Sequence, residues 1–312
     1  MKNKRVVITG GAGFIGSNLA EELAKDNEVV ILDDLSTGRP ENIKDLIKKN
    51  NVQFIQGSIT DPALLQKTFK EVDFVFHQAA VASVTRSVAD PVAANEVNLN
   101  GTLNVLIAAR DNYVKKVVYA SSCAVYGDNP VLPKKEDMLP EPLSPYAVTK
   151  MAGEYYCQVF RQVYGLQAVC LRYFNVYGPR QDPHSDYAAV IPRFILRALQ
   201  GQPLTIFGDG EQTRDFVFIK DVVRANIVVA DDEAPGIHNV GSGKNISVNM
   251  LADTIKAITG VNLEIVHLEP RSGEVRHSLA DMSKAIAIGF KPRYNLRAGL
   301  TETIRWFSDH FS

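Results

Sequence analysis

The sequence is poor in cysteine and has no excess of charge of either sign. Its three cysteines, Cys123, Cys157 and Cys170, are widely spaced and form no CxxC pair. This pattern excludes a disulfide framework and a zinc–cysteine site, and it indicates reduced thiols. The 34 Lys and Arg residues are balanced by 35 Asp and Glu residues, which gives a net charge of -1. Proteins that bind the nucleic-acid backbone usually carry a basic surplus, so we expect no nucleic-acid partner.

Long hydrophobic runs are also missing. No segment approaches the roughly 18 apolar residues of a membrane span. Only residues 6–9 stand between the basic N-terminus and Gly10, and this run is too short for a signal peptide. We therefore expect a cytoplasmic protein with no membrane partner. The composition, 46% hydrophobic and 22% charged over 312 residues, suits one large domain or two lobes.

The first 180 residues alternate between short β-branched runs and helix-length segments. The runs are continuously apolar, as expected for strands covered on both faces, and they occupy residues 6–9, 29–32, 52–55, 73–76, 117–120 and 168–171. Helices are predicted at 14–25, from Thr60-Asp61-Pro62 onward, at 91–111 and at 144–164. This alternation predicts an α/β fold, a Rossmann-type doubly wound parallel sheet.

After about residue 180, proline and glycine become frequent and the predicted strands become short. Helices are still predicted at 188–200, 220–230, 247–258 and 296–310. We interpret residues 1–175 as the domain that contains the sheet, with segments near 215–240 returning to it. Residues 176–312 are interpreted as a smaller α/β lobe that holds the substrate.

A glycine-rich loop follows the first predicted strand and opens the first predicted helix. Gly11, Gly13 and Gly16 satisfy GxGxxG, and Gly10 gives the alternative GxxGxxG spacing. Such a loop allows a tight turn and the close approach of a pyrophosphate to a helix N-terminus. The second strand then ends in Asp33, which suits a ribose diol and would repel a 2′-phosphate, so the pattern favours NAD over NADP.

Tyr146 and Lys150 stand four residues apart near the start of a predicted helix, so their side chains share one face. An ammonium about 4 Å from a phenol lowers the phenol pKa by roughly 3 units at an effective dielectric of about 20. We therefore expect Tyr146 to act as a base near neutral pH. YxxxK alone is common. The catalytic interpretation of this pair is supported by Ser121 and Ser122, which lie at the carboxyl end of a predicted strand, where parallel sheets bind their ligands.

Together these motifs resemble the extended short-chain dehydrogenase/reductase family, and among its members the nucleotide-sugar 4-epimerases. The resemblance covers the whole chain and includes residues 77–80, Asn98 and residues 173–180. It implies that Tyr146, Lys150 and Ser122 are catalytic and that the first domain binds NAD. The residues implied for NAD are Gly10, Gly13, Phe14, Ile15, Gly16, Asp33, Asp34, Ser36, Thr37, Gly38, Ser58, Ile59, Ala79, Ala80, Asn98, Ser121, Tyr146, Lys150, Tyr173 and Phe174. Ser58 departs from the family, since many members carry an acid there.

The resemblance also implies that the second lobe binds a UDP-sugar. Arginine forks match phosphate oxygens, so Arg214 and Arg271 are expected on the diphosphate together with Asn175. Glu274 is implied for the sugar of the nucleotide, and Ala189, Val190 and Phe207 for the uracil pocket. The full set of implied substrate residues is Ser83, Ser122, Tyr146, Asn175, Ala189, Val190, Phe207, Arg214, Arg271, Glu274 and Ser278.

Ser278 occupies the position that, in these epimerases, gates the pocket beside C2 of the sugar. A tyrosine there restricts the pocket to glucose and galactose, whereas a small residue leaves room for an N-acetyl group. The sequence therefore predicts a UDP-hexose 4-epimerase that handles UDP-glucose and UDP-galactose and also UDP-GlcNAc and UDP-GalNAc.

Three alternatives stay open. A UDP-glucuronate 4-epimerase or decarboxylase differs only in subtle carboxylate contacts. A 4,6-dehydratase would usually need an acid pair after the catalytic hydroxyl, where this chain has Cys123 and Ala124. A non-catalytic dinucleotide sensor would be expected to lose the Tyr146/Lys150 pair. The histidines give no metal pattern, so we expect no metal, and we interpret His77 and Cys123 as structural. Related proteins pair their two long helices across a dimer, so we expect a homodimer.

Overall fold

The computed structural model describes residues 1–183, 189–232, 235–270 and 275–311. Six strands in the first part of the chain are β1 (Arg5–Thr9), β2 (Glu28–Asp33), β3 (Val52–Gln56), β4 (Phe74–His77), β5 (Lys116–Ser122) and β6 (Ala168–Tyr173). The later strands are β7 (Asn175–Tyr177), β8 (Leu204–Phe207), β9 (Thr213–Arg214), β10 (Phe216–Phe218), β11 (Gly236–Val240), β12 (Ile246–Ser247) and β13 (Ile265–Leu268).

Seven strands form one parallel sheet in the order β11-β6-β5-β4-β1-β2-β3. The predicted fold class is therefore confirmed. The order reverses direction between β1 and β4, and doubly wound sheets bind ligands at the carboxyl ends of the strands beside such a point. β11 lies beside β6 in this sheet, whereas the exact division of the chain into two domains stays a prediction.

Helices cover both faces of the sheet, which explains why its strands are continuously apolar. Helices α1 and α8 pack together on one face, and α2, α5 and α6 pack on the other. The helices are α1 (Phe14–Leu23), α2 (Pro62–Thr68), α3 (Val84–Ala89), α4 (Pro91–Asn95), α5 (Gly101–Asp111), α6 (Pro145–Tyr164), α7 (Val190–Leu199), α8 (Ile219–Asp231), α9 (Val248–Thr259), α10 (Ser283–Ala287) and α11 (Leu296–Phe311).

The predicted helix at 91–111 is not continuous. After α4 the chain forms a π-helical turn at Glu96–Asn100 and then continues as α5. Such turns are rare and frequently mark functional sites, and this one contains Asn98. The sequence analysis also missed the short helices α3 and α10, because one or two helical turns carry little periodic signal.

Helix α6 is the longest helix described and carries the Tyr146/Lys150 pair. Ser144 caps it by accepting from the Ala147 N–H at 3.1 Å, and Pro145 occupies its first turn. Gly165 ends it with φ +74°, a left-handed conformation that favours glycine. Among the residues described, no helix combines the length and hydropathy that crossing a bilayer requires.

Candidate active site

The glycine loop lies at the carboxyl end of β1 and packs closely against the segment after β4. Gly10 has φ +69°, and a Cβ there would lie 2.6 Å from the Ala79 nitrogen. A Cβ on Gly16 would lie 2.1 Å from the Gly10 carbonyl oxygen. No side chain caps the first turn of α1, so its N–H groups face outward to a ligand. These features fit a bound dinucleotide pyrophosphate.

Asp33 orders the loops on either side of it. Its carboxylate accepts hydrogen bonds from the Ala12 N–H at 2.9 Å and from the Leu35 N–H at 2.8 Å. Burial raises the pKa of Asp33, and these hydrogen bonds oppose the rise. Each carboxylate oxygen has a second lone pair, so both oxygens retain acceptor capacity for a ribose diol.

A cavity of about 280 Å³ runs from this loop to the Tyr146 helix. Most of the residues expected to bind NAD line it: Gly10, Gly13, Phe14, Ile15, Gly16, Asp33, Asp34, Ser36, Thr37, Ser58, Ile59, Ala79, Ala80, Ser121, Tyr146, Lys150 and Tyr173. Gly38, Asn98 and Phe174 do not line it. Gly38 lies behind Asp33, since a Cβ on Gly38 would be 2.6 Å from an Asp33 oxygen. Phe174 is buried against Tyr126 in the core.

Asn98 shapes the cavity through a neighbour that does line it. Its side-chain oxygen accepts from the Val81 N–H at 2.7 Å, and its amide nitrogen donates to Val81 O and to Thr149 Oγ1. The structure thus places Asn98 where it holds the segment after β4, and not on the cavity wall.

His77 orders the same segment through a directed chain of hydrogen bonds. Thr102 Oγ1 donates to the Asn98 carbonyl at 2.6 Å, so it accepts from His77 Nε2–H at 2.9 Å. His77 Nδ1 is then the acceptor for the Thr9 hydroxyl at 2.7 Å, and that oxygen accepts from the Ala79 N–H. Burial, with a smaller contribution from the Lys150 charge, lowers the pKa of His77 to about 3. The ring is therefore neutral and structural.

Several residues that line this cavity were missed by the sequence analysis. Gln78 stands within the quoted 77–80 motif, and its amide donates to the Tyr173 hydroxyl at 3.2 Å. Arg39 comes from the loop after β2 and pairs with Asp182 at 3.4 Å across a large sequence separation. Arg180 donates to Ser17 O and pairs with Glu21, so it fastens the loop after β7 to α1. Arg180 ends the quoted 173–180 motif, whereas Arg39 has no local pattern that would reveal it.

Tyr146 and Ser122 meet at the end of this cavity. A hydrogen bond with Ser122 lowers the pKa of Tyr146, but burial outweighs it and raises that pKa to about 12. Ser122 also accepts from the Ala124 N–H at 3.1 Å, which begins the 3₁₀ turn at Cys123–Tyr126. The serine hydroxyl is therefore held beside the phenol.

For Tyr146, burial opposes the near-neutral pKa that the spacing with Lys150 predicts. Lys150 Nζ donates to the Ala120 carbonyl at 2.7 Å and lies 5.8 Å from the centre of the Tyr146 ring. Burial lowers the pKa of Lys150 to about 8, against an opposing effect of Glu154. The spacing argument assumed a partly solvated pair, whereas here desolvation dominates both groups.

A second cavity, of about 530 Å³, lies between β7, α7 and β8. Five of the residues expected at the nucleotide line it: Asn175, Ala189, Val190, Phe207 and Arg214. The side-chain oxygens of Asn175 and Gln212 are buried without a hydrogen-bond partner among the described residues. Unpaired buried oxygens favour a ligand that brings donors, as a uracil or ribose does.

Ser278 lies between β9 and the 3₁₀ turn that begins at Cys123. Its N–H donates to Thr213 O at 3.1 Å, and its side chain forms a hydrogen bond with Cys123, the neighbour of Ser122. Burial raises the pKa of Cys123 to about 11, so this thiol is not a nucleophile at neutral pH. Ser278 is therefore near the segment that contains Ser122 but is not part of either cavity lining, and its role as a gate stays a prediction.

Three expected substrate residues are placed differently or not described. Ser83 caps α3 by accepting from the Arg86 N–H at 3.1 Å, and its neighbour Val84 lines the second cavity. Arg271 and Glu274 lie outside the described residues. Their roles stay predictions.

Comparisons with known proteins agree with this geometry. The model of the NAD dependent epimerase/dehydratase family matches residues 6–241. The chain is 41% identical to a UDP-glucose 4-epimerase of Mycolicibacterium smegmatis over 97% of this chain and 98% of that protein. It superimposes on a UDP-N-acetylglucosamine 4-epimerase from Methanobrevibacter ruminantium, in complex with UDP-N-acetylmuramic acid, with a TM-score of 0.97, 44% identity and 100% of both chains covered.

A second similar structure contains the cofactor. It is a UDP-glucuronic acid 4-epimerase from Bacillus cereus with UDP-glucuronic acid and NAD, with a TM-score of 0.91, 33% identity, and 98% of this chain and 100% of that chain covered. NAD is the cofactor of this chain, as the glycine loop and Asp33 indicate. The resemblance drawn from the motifs is confirmed: the chain belongs to the NAD-dependent epimerase/dehydratase family.

Proposed function

We propose that this chain is a UDP-hexose 4-epimerase that acts on UDP-glucose and UDP-galactose and on their N-acetylated counterparts. One observation carries the proposal: the neighbouring side chains of Tyr146 and Ser122 lie between the dinucleotide cavity and the Cys123–Ser278 contact. A sugar held there would have its reacting hydroxyl at the phenol and its C2 substituent near Ser278. The names of the M. smegmatis and M. ruminantium relatives support both substrate classes.

The residues divide the chemistry between proton transfer and anchoring. When bound along the cavity that Tyr146 and Lys150 line, NAD would supply the acceptor and donor of a hydride at C4 of the sugar. Tyr146 takes the proton of the sugar 4-hydroxyl at its phenol oxygen, and the Ser122 hydroxyl passes the proton between the two. Lys150 adds a positive charge that favours the phenolate.

Inversion requires the 4-keto sugar to present its opposite face. The nucleotide must therefore be anchored firmly while the sugar makes few specific contacts. Arg214 at the second cavity and the unpaired oxygen of Asn175 are suited to that anchoring.

The experiment supplies UDP-galactose, UDP-GalNAc and UDP-glucuronate separately, with no NAD added. We expect the 4-epimers of the first two to form, because retained cofactor supports turnover. Product only from UDP-glucuronate would establish the uronate alternative instead. Absence of product in all three reactions, also after NAD is added, would overturn the proposal.

The Tyr146→Phe variant separates an enzyme from a sensor. We expect it to bind NAD normally and to lose turnover, because it keeps the ring and lacks only the proton-accepting oxygen. Equal turnover in the variant and the wild type would refute the assigned role.

We also propose that two copies of the chain form a homodimer through α6. Val148, Tyr155 and Val159 on α6 are 45%, 53% and 44% exposed, and they recur at helical spacing on one face. A second copy of the same helix would cover this stripe by two-fold symmetry. Light scattering should give about twice the chain mass, and Tyr155→Lys should shift it to the monomer value.

A further inference from the structure

Three side chains on one face of α6 contact three successive residues at the end of β5. Tyr146 is hydrogen-bonded to Ser122, and Lys150 donates to the Ala120 carbonyl at 2.7 Å. Glu154, one turn further along, accepts from the Ser121 hydroxyl at 2.5 Å. Tyr146, Lys150 and Glu154 are each four residues apart, so their side chains lie on the same face of α6. The first two are the candidate catalytic residues.

Glu154 is held from its other side by Arg172 on β6. Arg172 Nε and Nη2 each lie 2.8 Å from a Glu154 oxygen, and the two side chains are only 2% and 4% exposed. Although burial opposes its charge, this ion pair raises the pKa of Arg172. A buried pair is weak evidence for stability, because desolvation offsets most of its attraction. The position of Glu154 next to Lys150 on the same face of α6 indicates a role in the active site instead.

The pKa of Lys150 depends strongly on the neighbouring charges because the side chain is buried. The titratable groups around it are Tyr146, Glu154 and Cys157 on its own helix, Tyr119 on β5 and His77 on β4. The Lys150 ammonium lies 5.1 Å from the centre of the Tyr119 ring. His77 is neutral, and burial raises the pKa of Tyr119 well above its usual range. Among these groups, Glu154 has the largest effect that opposes the lowering of the Lys150 pKa, and its carboxylate is ion-paired with Arg172.

We propose that Glu154 is a positioning residue of the active site: it fixes Ser121 so that the next residue, Ser122, faces Tyr146, and it places a negative charge one helical turn from the Lys150 ammonium. Arg172 orients the Glu154 carboxylate for both tasks. The proposal rests on the proposed function for its kinetic part only.

The charge role predicts a shift in the pH profile. A nearby carboxylate favours the protonated form of an ammonium, and burial lowers the pKa of Lys150 to about 8, so this group titrates within an accessible range. Removing the Glu154 charge should move the alkaline limb of kcat to lower pH by about one unit. A purely structural role would lower kcat without moving the limb.

The design uses three variants, because Glu154→Gln alone leaves a buried guanidinium uncompensated. Glu154→Gln/Arg172→Met removes both charges, and such neutral replacements often keep the fold. Glu154→Asp keeps the charge but shortens the reach to Ser121, so we expect kcat to fall about tenfold or more with the alkaline limb unmoved. The matched control is Glu302→Gln, which removes a carboxylate that pairs with Lys220 near the surface. It should change neither kcat nor the position of the alkaline limb.

A second readout does not need turnover. NMR titration of the Lys150 side chain, assigned with Lys150→Arg, follows its protonation directly in the NAD-loaded protein. We expect the Lys150 pKa to fall in the double variant by less than the roughly one unit expected for loss of the Glu154 charge alone, because loss of the Arg172 charge offsets part of the shift, and to stay unchanged in Glu302→Gln. An unshifted Lys150 in a folded double variant would overturn the proposal. If the wild type epimerises no UDP-sugar while Lys150 shifts as expected, the proposed function fails and the charge role stands.

Discussion

The hydrogen bonds of Asp215 stabilise the segment that contains Ser278, the proposed gate, and substitutions of Asp215 test this. It is fully buried between β9 and β10. One carboxylate oxygen accepts from Ser242 N at 2.6 Å and from Ser242 Oγ at 2.7 Å. The other accepts from Gly243 N at 3.0 Å and Ala280 N at 3.1 Å. Because Ala280 lies two residues after Ser278, this carboxylate fixes the position of the proposed gate.

The magnitude follows from the number of donors left unpaired. In Asp215→Asn the amide nitrogen favours the side of Ser242, where it donates to the hydroxyl and leaves one half-buried N–H unpaired, rather than two N–H groups on the other side. One such group costs about 1–3 kcal/mol. Burial raises the pKa of Asp215, so the neutral amide recovers part of this cost and we expect a loss of about 1–2 kcal/mol. Asp215→Ala leaves three N–H groups unpaired; the buried Ala280 N–H should cost about 1–3 kcal/mol, and those of the half-buried Ser242 and the exposed Gly243 should add less because water can reach them.

Urea unfolding of the wild type, Asp215→Asn and Asp215→Ala measures these losses. Ser242→Ala, which removes only the hydroxyl donor, is the control and should cost about 0.5–1.5 kcal/mol. We also expect Asp215→Asn to lower kcat/KM for UDP-GalNAc more than for UDP-galactose. The reasoning fails if Asp215→Ala unfolds no more easily than Ser242→Ala.

Three further predictions concern the gate, the glycine loop and His77. Ser278→Tyr should abolish turnover of UDP-GalNAc and spare UDP-galactose; equal loss of both would refute the gate. Gly16→Ala should cost about 1–3 kcal/mol because its Cβ would meet rigid backbone at 2.1 Å. Gly13→Ala, whose Cβ would contact only Gly10 O, at 3.2 Å, should keep the melting temperature but lose NAD on desalting. His77→Gln removes a group whose pKa falls from 6.5 in the unfolded chain to about 3 in the fold. Below pH 6.5 His77 binds a proton in the unfolded chain but not in the fold, so the unfolding free energy of the wild type falls by about 1.4 kcal/mol per pH unit relative to that of the variant. The difference in unfolding free energy between the two proteins should therefore narrow by about 2 kcal/mol between pH 6.5 and 5. A pH-independent difference would show that folding leaves the pKa of His77 unchanged, which would refute its burial as a neutral ring.

The sequence determined the elements whose signals are local. Six apolar runs predicted the six strands β1–β6, and the glycine spacing placed the start of α1 to the residue. The four-residue spacing of Tyr146 and Lys150 put them on one face of α6 because helical periodicity is a property of the chain itself. Asp33 was found in the same way, as the residue that ends the second strand.

Tertiary structure decided what those groups experience. The phenol of Tyr146 is held by Ser122 in a buried site that raises its pKa, and Lys150 is directed to Ala120 O and not to the phenol. Neither fact could be predicted from spacing, because desolvation depends on how much protein packs around a group. Likewise, Glu154, Arg172 and Asp215 meet partners 18 to 65 residues away, and only the packing of strands and helices brings such residues together.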